Sequence, residues 1–229
     1  MIPTLAHTTL VLTHDGSHSL RNETTGEHYH SIFGAYTESV HVFVDAGLKS
    51  LLSPPNNIRL LEVGVGTGLN LLLAAQFAAQ QNTSIVYSGL EPYPIDPEVQ
   101  NMLNYGGFVG RDLFASYATS YPKLLAGECW KTPLFEANIV QKALLDFESD
   151  RAFDLIFYDA FSPSSQADMW DEASIAKVAS LLAPGGVLVT YCIRGYIRRQ
   201  FIALGLQAEK LAGPPGKREM MRITKPKHV

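Results

Sequence analysis

An aspartate stands at the end of a strongly apolar, strand-like segment of the chain. The segment reads FDLIFYD, residues 153–159, and the AFSP stretch after it contains Phe161 and ends at Pro163. A carboxylate at the carboxyl end of a buried strand can accept a hydrogen bond from an amine or take up its proton. The fixed φ of proline restricts the backbone of the loop. Residues 159–163 are therefore the first candidate for a catalytic loop.

A glycine-rich turn follows an earlier strand-like segment. Residues 60–70, LLEVGVGTGLN, read as a strand, a turn over 64–68 and the start of a helix. Glycines at such a junction let the backbone approach a ligand at the head of a parallel sheet. The dinucleotide pattern GxGxxG is absent, because its third glycine falls on Leu69, and there is no GKS or GKT phosphate loop. The remaining GxGxG pattern resembles motif I of class I S-adenosylmethionine (AdoMet) methyltransferases; the alternative is a turn that only packs a helix.

A second carboxylate follows the next strand, about twenty residues past the glycines. The segment SIVYSGLE ends at Glu91, and a carboxylate there can accept both hydroxyls of a ribose. The alternative is a solvated glutamate at a strand end. In the methyltransferase pattern an acidic residue after the third strand contacts adenine, but this chain has Gln141-Lys142-Ala143 at that place. Adenine contacts there are not predicted.

Short apolar strands alternate with helical segments from residue 58 onward. The alternation predicts a doubly wound, Rossmann-like α/β fold with a mostly parallel sheet covered on both faces. Residues 206–213 and 217–225 predict an antiparallel C-terminal hairpin, and residues 104–136 read as an irregular insertion. The predicted strands lie at 58–64, 84–91, 134–142, 153–159 and 187–192, and the predicted helices at 69–81, 96–105 and 171–186.

Residues 1–57 precede this pattern and are predicted to form a small extension packed on a methyltransferase domain of residues 58–229. Turn signals at Asp15-Gly16 and Thr25-Gly26 predict one or two β-hairpins. Apolar residues at helical spacing predict a helix over 39–52 that Pro54-Pro55 ends.

The bulk composition sets the class of protein. A chain of 229 residues with 46% hydrophobic residues is sufficient for one sizeable domain. The first sixteen residues contain no Lys or Arg, and the longest apolar run is broken by Asn70 and Gln76, so we expect a cytoplasmic protein without a membrane segment. Cys129 and Cys192 form no CxxC pattern and are predicted to be buried free thiols.

The charge distribution is uneven. Residues 1–189 contain 9 Lys and Arg against 20 Asp and Glu, whereas residues 190–229 contain 9 against 2. A basic segment of this kind indicates a polyanionic partner, with nucleic acid first among the candidates. The alternative is a solvated basic tail.

The second half of the chain resembles a specific family. The motifs that carry the resemblance are DAFSP at 159–163, Met169-Trp170, Thr190-Tyr191, GYIRR at 195–199 and GPPGKREMM at 213–221. They are similar to the methyltransferase half of the bifunctional tRNA 5-methylaminomethyl-2-thiouridine biosynthesis proteins (MnmC type) and its stand-alone, MnmD-like relatives. Residues 26–48 resemble the N-terminal part of the stand-alone members. A second, FAD-binding half is not found in these 229 residues.

The resemblance implies a tRNA-modifying enzyme. It implies transfer of the AdoMet methyl group to the amine of 5-aminomethyl-(2-thio)uridine at wobble position 34, within the anticodon stem-loop, with a separate oxidoreductase acting upstream. The implied catalytic residues are Asp159, Phe161 and Pro163. The implied cofactor residues are Glu62, Gly64, Gly66, Thr67, Gly68, Asn70, Glu91 and Asp159. The implied tRNA residues are Trp170, Arg194, Arg198, Arg199, Lys217 and Arg218.

Each of these roles has an ordinary structural alternative. Phe161 or Trp170 is expected to stack on uracil, and the alternative is packing at the sheet edge. The basic residues are expected to hold tRNA phosphates, and the alternative is an ion pair such as Arg218 with Glu219. His28 and His30 lack a carboxylate partner in the sequence, so no metal site is predicted.

Two other functions fit the pattern less well. An aminopropyltransferase of the spermidine synthase type uses a similar fold and an aspartate loop, but it needs further acidic residues to hold a polyamine. A non-catalytic AdoMet-fold protein that binds RNA is the third possibility. Formation of a methylated nucleoside distinguishes all three.

Overall fold

The apolar segments after residue 57 pair into one eight-stranded sheet, and two further strands form a separate hairpin. The structure, a computed structural model, describes residues 8–51 and 57–227. The strands are β1 Thr8–Leu12, β2 His18–Asn22, β3 Asn57–Val63, β4 Ser84–Leu90, β5 Trp130–Thr132, β6 Phe135–Val140, β7 Phe153–Tyr158, β8 Leu182–Thr190, β9 Gln207–Ala212 and β10 Glu219–Thr224.

The helices alternate with these strands as the sequence pattern predicts. They are α1 Ala35–Ser39, α2 Leu69–Gln81, α3 Pro97–Asn101, α4 Gly106–Val109, α5 Arg111–Leu125, α6 Glu172–Leu181 and α7 Gly195–Ala203. A π-helix, Val40–Asp45, continues α1, and 3-10 turns occupy Leu48–Ser50, Leu144–Asp146 and Ala167–Trp170. Among the described parts of the chain, every helix is too short or not apolar enough to cross a lipid bilayer.

The sheet order is β5-β6-β4-β3-β7-β8-β10-β9. Strands β6, β4, β3, β7 and β8 run parallel, and β10 pairs antiparallel with both β8 and β9. The doubly wound fold and the antiparallel C-terminal hairpin are therefore confirmed. The order places β3 next to both β4 and β7, so the segments after these three strands emerge side by side.

Both faces of the sheet are covered. On β3, Leu60 packs into a core with α2, α5 and the N-terminal segment, and Leu61 packs into a second core with α6 and α7. Both side chains are completely buried. A strand buried on both faces needs apolar residues at consecutive positions, which is the reason that these strands read as continuous apolar runs.

The N-terminal segment contains one hairpin, β1 with β2, and a bridge between Arg21 and His28 extends it. The helix predicted for residues 39–52 begins earlier, at Ala35, and changes to π geometry at Val40. Pro54-Pro55, predicted to end it, lie outside the described residues. Leu20 and Phe43 of this segment join the same core as the sheet, and the division at residue 57 stays a prediction.

Three local predictions are corrected. Residues 104–136 are an ordered layer rather than an irregular insertion, because Tyr117, Tyr121 and Leu124 bury one face of α5 despite Pro122 within the helix. Helix α6 ends at Leu181, and the Pro-Gly-Gly stretch after it lies in β8, where the pairing with β7 shifts register. Cys129 is exposed, and of the two cysteines only Cys192 is buried.

Candidate active site

Three chain segments meet at the carboxyl edge of the parallel sheet. The backbone N–H of Gly64 donates to the carbonyl of Leu90 at 3.0 Å, and that of Asp159 donates to the carbonyl of Val63 at 2.9 Å. The N–H of Glu91 donates to Val140 at 3.1 Å. Each strand thus extends its pairing by one residue into the turn, and these bonds bring the glycine loop, Glu91 and Asp159 to one place.

A cavity of about 1100 Å³ opens at this edge. We call one side the cofactor half; it is lined by 63–67, 90–97 and 141–144. We call the other side the acceptor half; it is lined by 27–33, Glu38, 159–161, 165–166, 168–169, Tyr191 and 216–217. The cavity is therefore built by the sheet edge, the N-terminal segment and the β9–β10 turn together.

The glycine loop touches both halves of the cavity. Gly64 and Gly66 have φ values of +90° and +50°, in the region that favours glycine. A Cβ atom at Gly64 would lie 2.6 Å from the carbonyl oxygen of Asp159, and one at Gly66 would lie 3.0 Å from Cδ1 of Tyr29. Side chains at these positions would separate the glycine loop from the aspartate loop and from the N-terminal segment.

Two further positions of the loop, Thr67 and Gly68, contact the protein interior. Thr67 borders the cavity, but its hydroxyl accepts a hydrogen bond from the Tyr105 hydroxyl at 2.8 Å in the protein interior. Gly68 precedes α2 and packs directly on Tyr117, whose hydroxyl would meet a Cβ atom there. These two residues shape the loop from below.

Glu91 is held by backbone amides on both oxygens. Its Oε2 accepts from Gly66 N at 2.9 Å and its Oε1 accepts from Tyr93 N at 3.0 Å. Burial raises the pKa of Glu91, and the two amide hydrogen bonds oppose that rise. The carboxylate is thus fixed in orientation at the edge of the cofactor half, with a lone pair left on each oxygen.

A buried amide connects two carboxylates below the cavity. The Nδ2 of Asn70 donates to Glu62 Oε1 at 2.8 Å and to Asp159 Oδ2 at 3.0 Å. Glu62 also accepts a hydrogen bond from the Tyr87 hydroxyl, and burial raises its pKa well above the usual range. Glu62 is completely buried and does not line the cavity. Glu62 contacts Asn70, which also contacts Asp159, and the assignment of Glu62 to the cofactor site stays a prediction.

Asp159 lines the cavity next to the glycine loop. The pKa of its carboxyl is raised from 3.8 to about 7, chiefly by burial and also by the charge of Glu38. The charge of Lys217 and the hydrogen bond from Asn70 oppose this rise in the pKa. A carboxyl group with a pKa near neutrality can exchange a proton at physiological pH.

The aspartate loop is fixed by hydrogen bonds to its backbone. Trp170 Nε1 donates to the carbonyl of Phe161 at 2.7 Å, and the Tyr191 hydroxyl donates to the carbonyl of Ala160 at 2.9 Å. Glu27 of the N-terminal segment accepts from Ser162 N at 3.1 Å. Trp170 is only 1% exposed. Trp170 contacts the loop backbone and is not among the residues that line the cavity, whereas Phe161 is, and the stacking of either ring on uracil stays a prediction.

Phe161 and Pro163 lie differently in the loop. Phe161 lines the cavity and packs edge to face on Tyr29, with the ring centroids 5.0 Å apart. Pro163 is partly exposed and lies outside the cavity lining. Of the two, only Phe161 can touch a bound molecule in the cavity.

An ion pair crosses the acceptor half. Lys217 Nζ lies 2.5 Å from Glu38 Oε1 and 4.0 Å from the centroid of the Tyr191 ring. Glu38 Oε2 accepts from Ser31 N at 2.7 Å. Lys217 therefore faces into the cavity and is paired there with Glu38, and its predicted contact with tRNA phosphates stays a prediction.

The predicted phosphate-binding arginines lie outside the cavity lining. Arg194, Arg199 and Arg218 are exposed, and Arg198 is partly buried with its Nε donating to Ala208 at 3.1 Å. The carboxylate of Glu219 pairs with Lys210 at 2.8 Å rather than with Arg218. Arg194 and Arg199 follow β8, and Arg218 lies in the β9–β10 turn, so all three belong to segments that leave the sheet at its carboxyl edge.

Several lining residues carried no individual signal in the sequence. Tyr29 and Glu38 belong to the segment 26–48, which resembles the family but offered no site role for either residue, and His30 was considered only as a metal ligand. Burial lowers the pKa of His30 to about 4, and its Nδ1 lies 3.2 Å from the Ser19 hydroxyl. Among residues 8–51 and 57–227, no group of three or more His, Cys, Asp or Glu side chains is arranged to hold a metal ion.

Comparison with known families gives one model match. Residues 135–226 match a family described as S-adenosyl-L-methionine-dependent methyltransferase. The matched segment runs from β6 to the end of β10 and includes the aspartate loop. The predicted cofactor, S-adenosyl-L-methionine, is confirmed at the level of this family.

Curated relatives extend the similarity to most of the chain. The tRNA 5-methylaminomethyl-2-thiouridine biosynthesis bifunctional protein MnmC of Ectopseudomonas mendocina is 28% identical over 211 residues, covering 86% of this chain and 32% of the relative. The protein of the same name from Cupriavidus metallidurans is 30% identical over 203 residues, covering 84% of this chain and 30% of the relative. The predicted resemblance is confirmed, and the chain spans about a third of the length of these relatives.

Solved structures show the same fold. MNMC2 from Aquifex aeolicus has a TM-score of 0.74 and 22% sequence identity, covering 97% of this chain and 71% of that chain. Spermidine synthase from Thermotoga maritima has a TM-score of 0.53 and 15% identity, covering 100% of this chain and 72% of that chain. The chain has the fold of AdoMet-dependent methyltransferases, which aminopropyltransferases share.

Proposed function

We propose that this AdoMet-dependent methyltransferase transfers a methyl group to the primary amine of 5-aminomethyl-(2-thio)uridine at wobble position 34 of tRNA. The product is the 5-methylaminomethyl form. The observation that carries the proposal is the single cavity that joins the glycine loop and Glu91 to Asp159. The similarity to tRNA 5-methylaminomethyl-2-thiouridine biosynthesis proteins supports the choice of substrate.

The cofactor half has the features that AdoMet requires. The glycine loop lines this half without side chains at Gly64 and Gly66, and Glu91 presents two fixed oxygens suited to the hydroxyls of a ribose. The stretch Gln141-Lys142-Ala143 also lines this half. When bound, AdoMet supplies a methyl group activated by its sulfonium.

Asp159 is suited to receive the amine. An alkyl amine with a pKa of about 10 is protonated at neutral pH and has no lone pair for the reaction. A buried carboxylate can accept its N–H hydrogen bonds and take up one proton, and a carboxyl pKa of about 7 permits the proton to leave again. Asn70, fixed between Glu62 and Asp159, keeps the carboxylate in one orientation while it does so.

The remaining contacts concern the nucleic acid. Phe161 is the aromatic side chain of the aspartate loop that faces the cavity, and it is suited to stack on the uracil ring. Arg194, Arg199 and Arg218 are exposed beside the acceptor half and are suited to bind phosphates of the anticodon stem-loop. A separate oxidoreductase acting upstream is part of the same proposal.

The test uses tRNA that carries 5-aminomethyluridine and tRNA without the modification. Each is incubated with the protein and AdoMet labelled in its methyl group, and then digested to nucleosides. Label is expected in 5-methylaminomethyluridine, and only from the aminomethyl tRNA. Label in any other nucleoside, or no transfer by folded protein that binds AdoMet, would overturn the proposed substrate.

A matched pair of variants tests the role of Asp159 in the same assay. Asp159→Ala is expected to lose methyl transfer while its AdoMet affinity, measured by calorimetry, stays within a few-fold of that of the wild type. Asp112→Asn changes an exposed aspartate on α5 and is expected to leave transfer unchanged. Normal turnover by Asp159→Ala would show that the assigned role is wrong.

The same protein preparation also tests the alternative function, that of an aminopropyltransferase. A polyamine acceptor needs a second carboxylate, but Glu38 is neutralised by Lys217 in the acceptor half. We therefore expect no product from decarboxylated AdoMet and a polyamine.

A further inference from the structure

The carboxylates of the cavity are engaged to different degrees. Glu91 accepts backbone hydrogen bonds on both oxygens. Glu38 is engaged on both oxygens as well, by Lys217 and by Ser31 N. Asp159 differs, because within the described residues its side chain accepts a single hydrogen bond, from Asn70 to Oδ2. Its Oδ1 is therefore available to a bound molecule.

Two anionic side chains, Glu38 and Asp159, lie near Lys217, and Lys217 is paired with Glu38. Its ammonium group contacts Glu38 at 2.5 Å and is stacked over the Tyr191 ring at 4.0 Å. Glu38 is 7% exposed. The Lys217 side chain is 32% exposed, so the pair is shielded on the carboxylate side, and removal of Lys217 would leave the Glu38 charge unpaired in a buried position.

We propose that Glu38 is a positioning residue for methyl transfer: by binding Lys217, it keeps the lysine from occupying Asp159, the carboxylate that receives the amine. The proposal rests on the proposed function for the identity of the acceptor, but the placement of the ion pair does not depend on it. Glu38 comes from α1 and Lys217 from the turn between β9 and β10. The N-terminal segment thus controls the charge next to the aspartate loop.

Two carboxylates, those of Glu38 and Asp159, compete for the ammonium group of Lys217. Lys217 lowers the pKa of Asp159 and Glu38 raises it, so the two charges act in opposite directions on the same group. Without Glu38, Lys217 still shares the cavity with Asp159, whose charge it already affects, and a Lys217–Asp159 pair would exclude the substrate amine. The groups that face this cluster are Asn70 and Glu62 from below, Tyr191 from the end of β8, and His30 from the N-terminal segment.

The first experiment measures the charge of Asp159 without substrate. Protein labelled with ¹³C at the aspartate side-chain carboxyl is titrated by NMR, and the Asp159 signal is assigned from its loss in Asp159→Asn. Lys217→Met is expected to raise the titration midpoint by about one pH unit, and Glu38→Gln to lower it by a similar amount. Lys217→Arg is expected to retain the wild-type midpoint.

The second experiment measures methyl transfer by the same variants. Glu38→Gln is expected to lose at least tenfold in kcat/KM for aminomethyl tRNA, because the released lysine pairs with Asp159. The double variant Glu38→Gln with Lys217→Met is expected to be more active than Glu38→Gln alone, since it lacks the competing ammonium. If Lys217→Met only damaged the fold further, the double variant would instead be less active than Glu38→Gln.

The control is a lysine of the same hairpin. Lys210 pairs with Glu219 at 2.8 Å outside the cavity, and Lys210→Met is expected to change neither the midpoint nor kcat/KM. A double variant no more active than Glu38→Gln, or shifts of the midpoint in the same direction in the two single variants, would overturn the proposal. If the NMR shifts occur but neither the wild type nor any variant methylates the tRNA, the opposed effects of Glu38 and Lys217 on Asp159 stand and the proposed substrate is wrong.

Discussion

Replacement of Asp159 by asparagine is expected to stabilise the folded protein at alkaline pH while abolishing methyl transfer. The carboxylate is charged at that pH in a site where burial and Glu38 both oppose the charge. Asparagine has almost the same shape and keeps an oxygen that can accept the Asn70 hydrogen bond. The substitution therefore removes an unfavourable charge without leaving a cavity.

The magnitude follows from the pKa of the group in the two states. The folded-state pKa of Asp159 is about 7, against 3.8 for an unperturbed group. Because the folded-state pKa is the higher one, the folded protein binds the proton more tightly, and stability is lost as the pH rises from about 4 to about 7. Three pKa units correspond to roughly 4 kcal/mol as an upper limit. Relaxation and solvent in the cavity reduce this figure, so we expect a difference of about 1–2 kcal/mol between pH 5 and pH 8.5.

The assay is urea-induced unfolding of wild type and Asp159→Asn at pH 5, 6, 7 and 8.5. The difference in free energy of unfolding is expected to increase with pH in favour of the variant and to level off above pH 7. Asp112→Asn, at an exposed position, serves as the control and is expected to show no such trend. A constant difference across the range, or a variant less stable than wild type at pH 8.5, would refute the reasoning about the charge.

Three further predictions concern the cofactor loop, the aspartate loop and the exposed arginines. Gly66→Val is expected to weaken AdoMet binding at least tenfold in calorimetry, because a Cβ atom would lie 3.0 Å from Tyr29 and φ is +50°. Trp170→Phe is expected to cost at least about 1–2 kcal/mol in urea unfolding and to lower kcat, because the hydrogen bond to the Phe161 carbonyl is lost and the smaller phenyl ring does not fill the buried indole site. Arg199→Glu is expected to raise KM for tRNA severalfold and to reduce the salt dependence of binding, without a change in AdoMet affinity.

Each of these predictions has a matched control. Gly107 has open space around its Cα, so Gly107→Ala is expected to keep AdoMet affinity, and unchanged affinity in Gly66→Val would contradict the cofactor role of the loop. Phe161→Leu keeps the loop carbonyl and should not reproduce the loss of stability in Trp170→Phe; equal losses would contradict the hydrogen-bond argument. Lys123→Glu reverses an exposed charge on α5, away from β8 and α7. If it raised KM for tRNA as much as Arg199→Glu does, a local phosphate contact of Arg199 would be contradicted.

The sequence alone determined the sheet and the three segments at its edge. Continuous apolar runs can be buried only between two layers of helices, and parallel strands bring their carboxyl ends to one side. The positions of the glycine loop, Glu91 and Asp159 follow from these two rules. Helix α2 was predicted with its observed limits, Leu69–Gln81, because it begins at the last glycine of the loop and is apolar along most of its length.

The tertiary structure decided which side chains complete the acceptor half. Lys217 and Glu38 are separated by 179 positions, and their contact depends on how the N-terminal segment packs against the β9–β10 turn. The same packing places Tyr29 over the glycine loop, and the packing of α6 against the sheet turns Trp170 inward. Local periodicity reports which face of an element is buried, but it carries no information on which distant side chain will meet it there. For this reason the sequence predicted Lys217 only as a phosphate contact, and the fold adds its ion pair with Glu38.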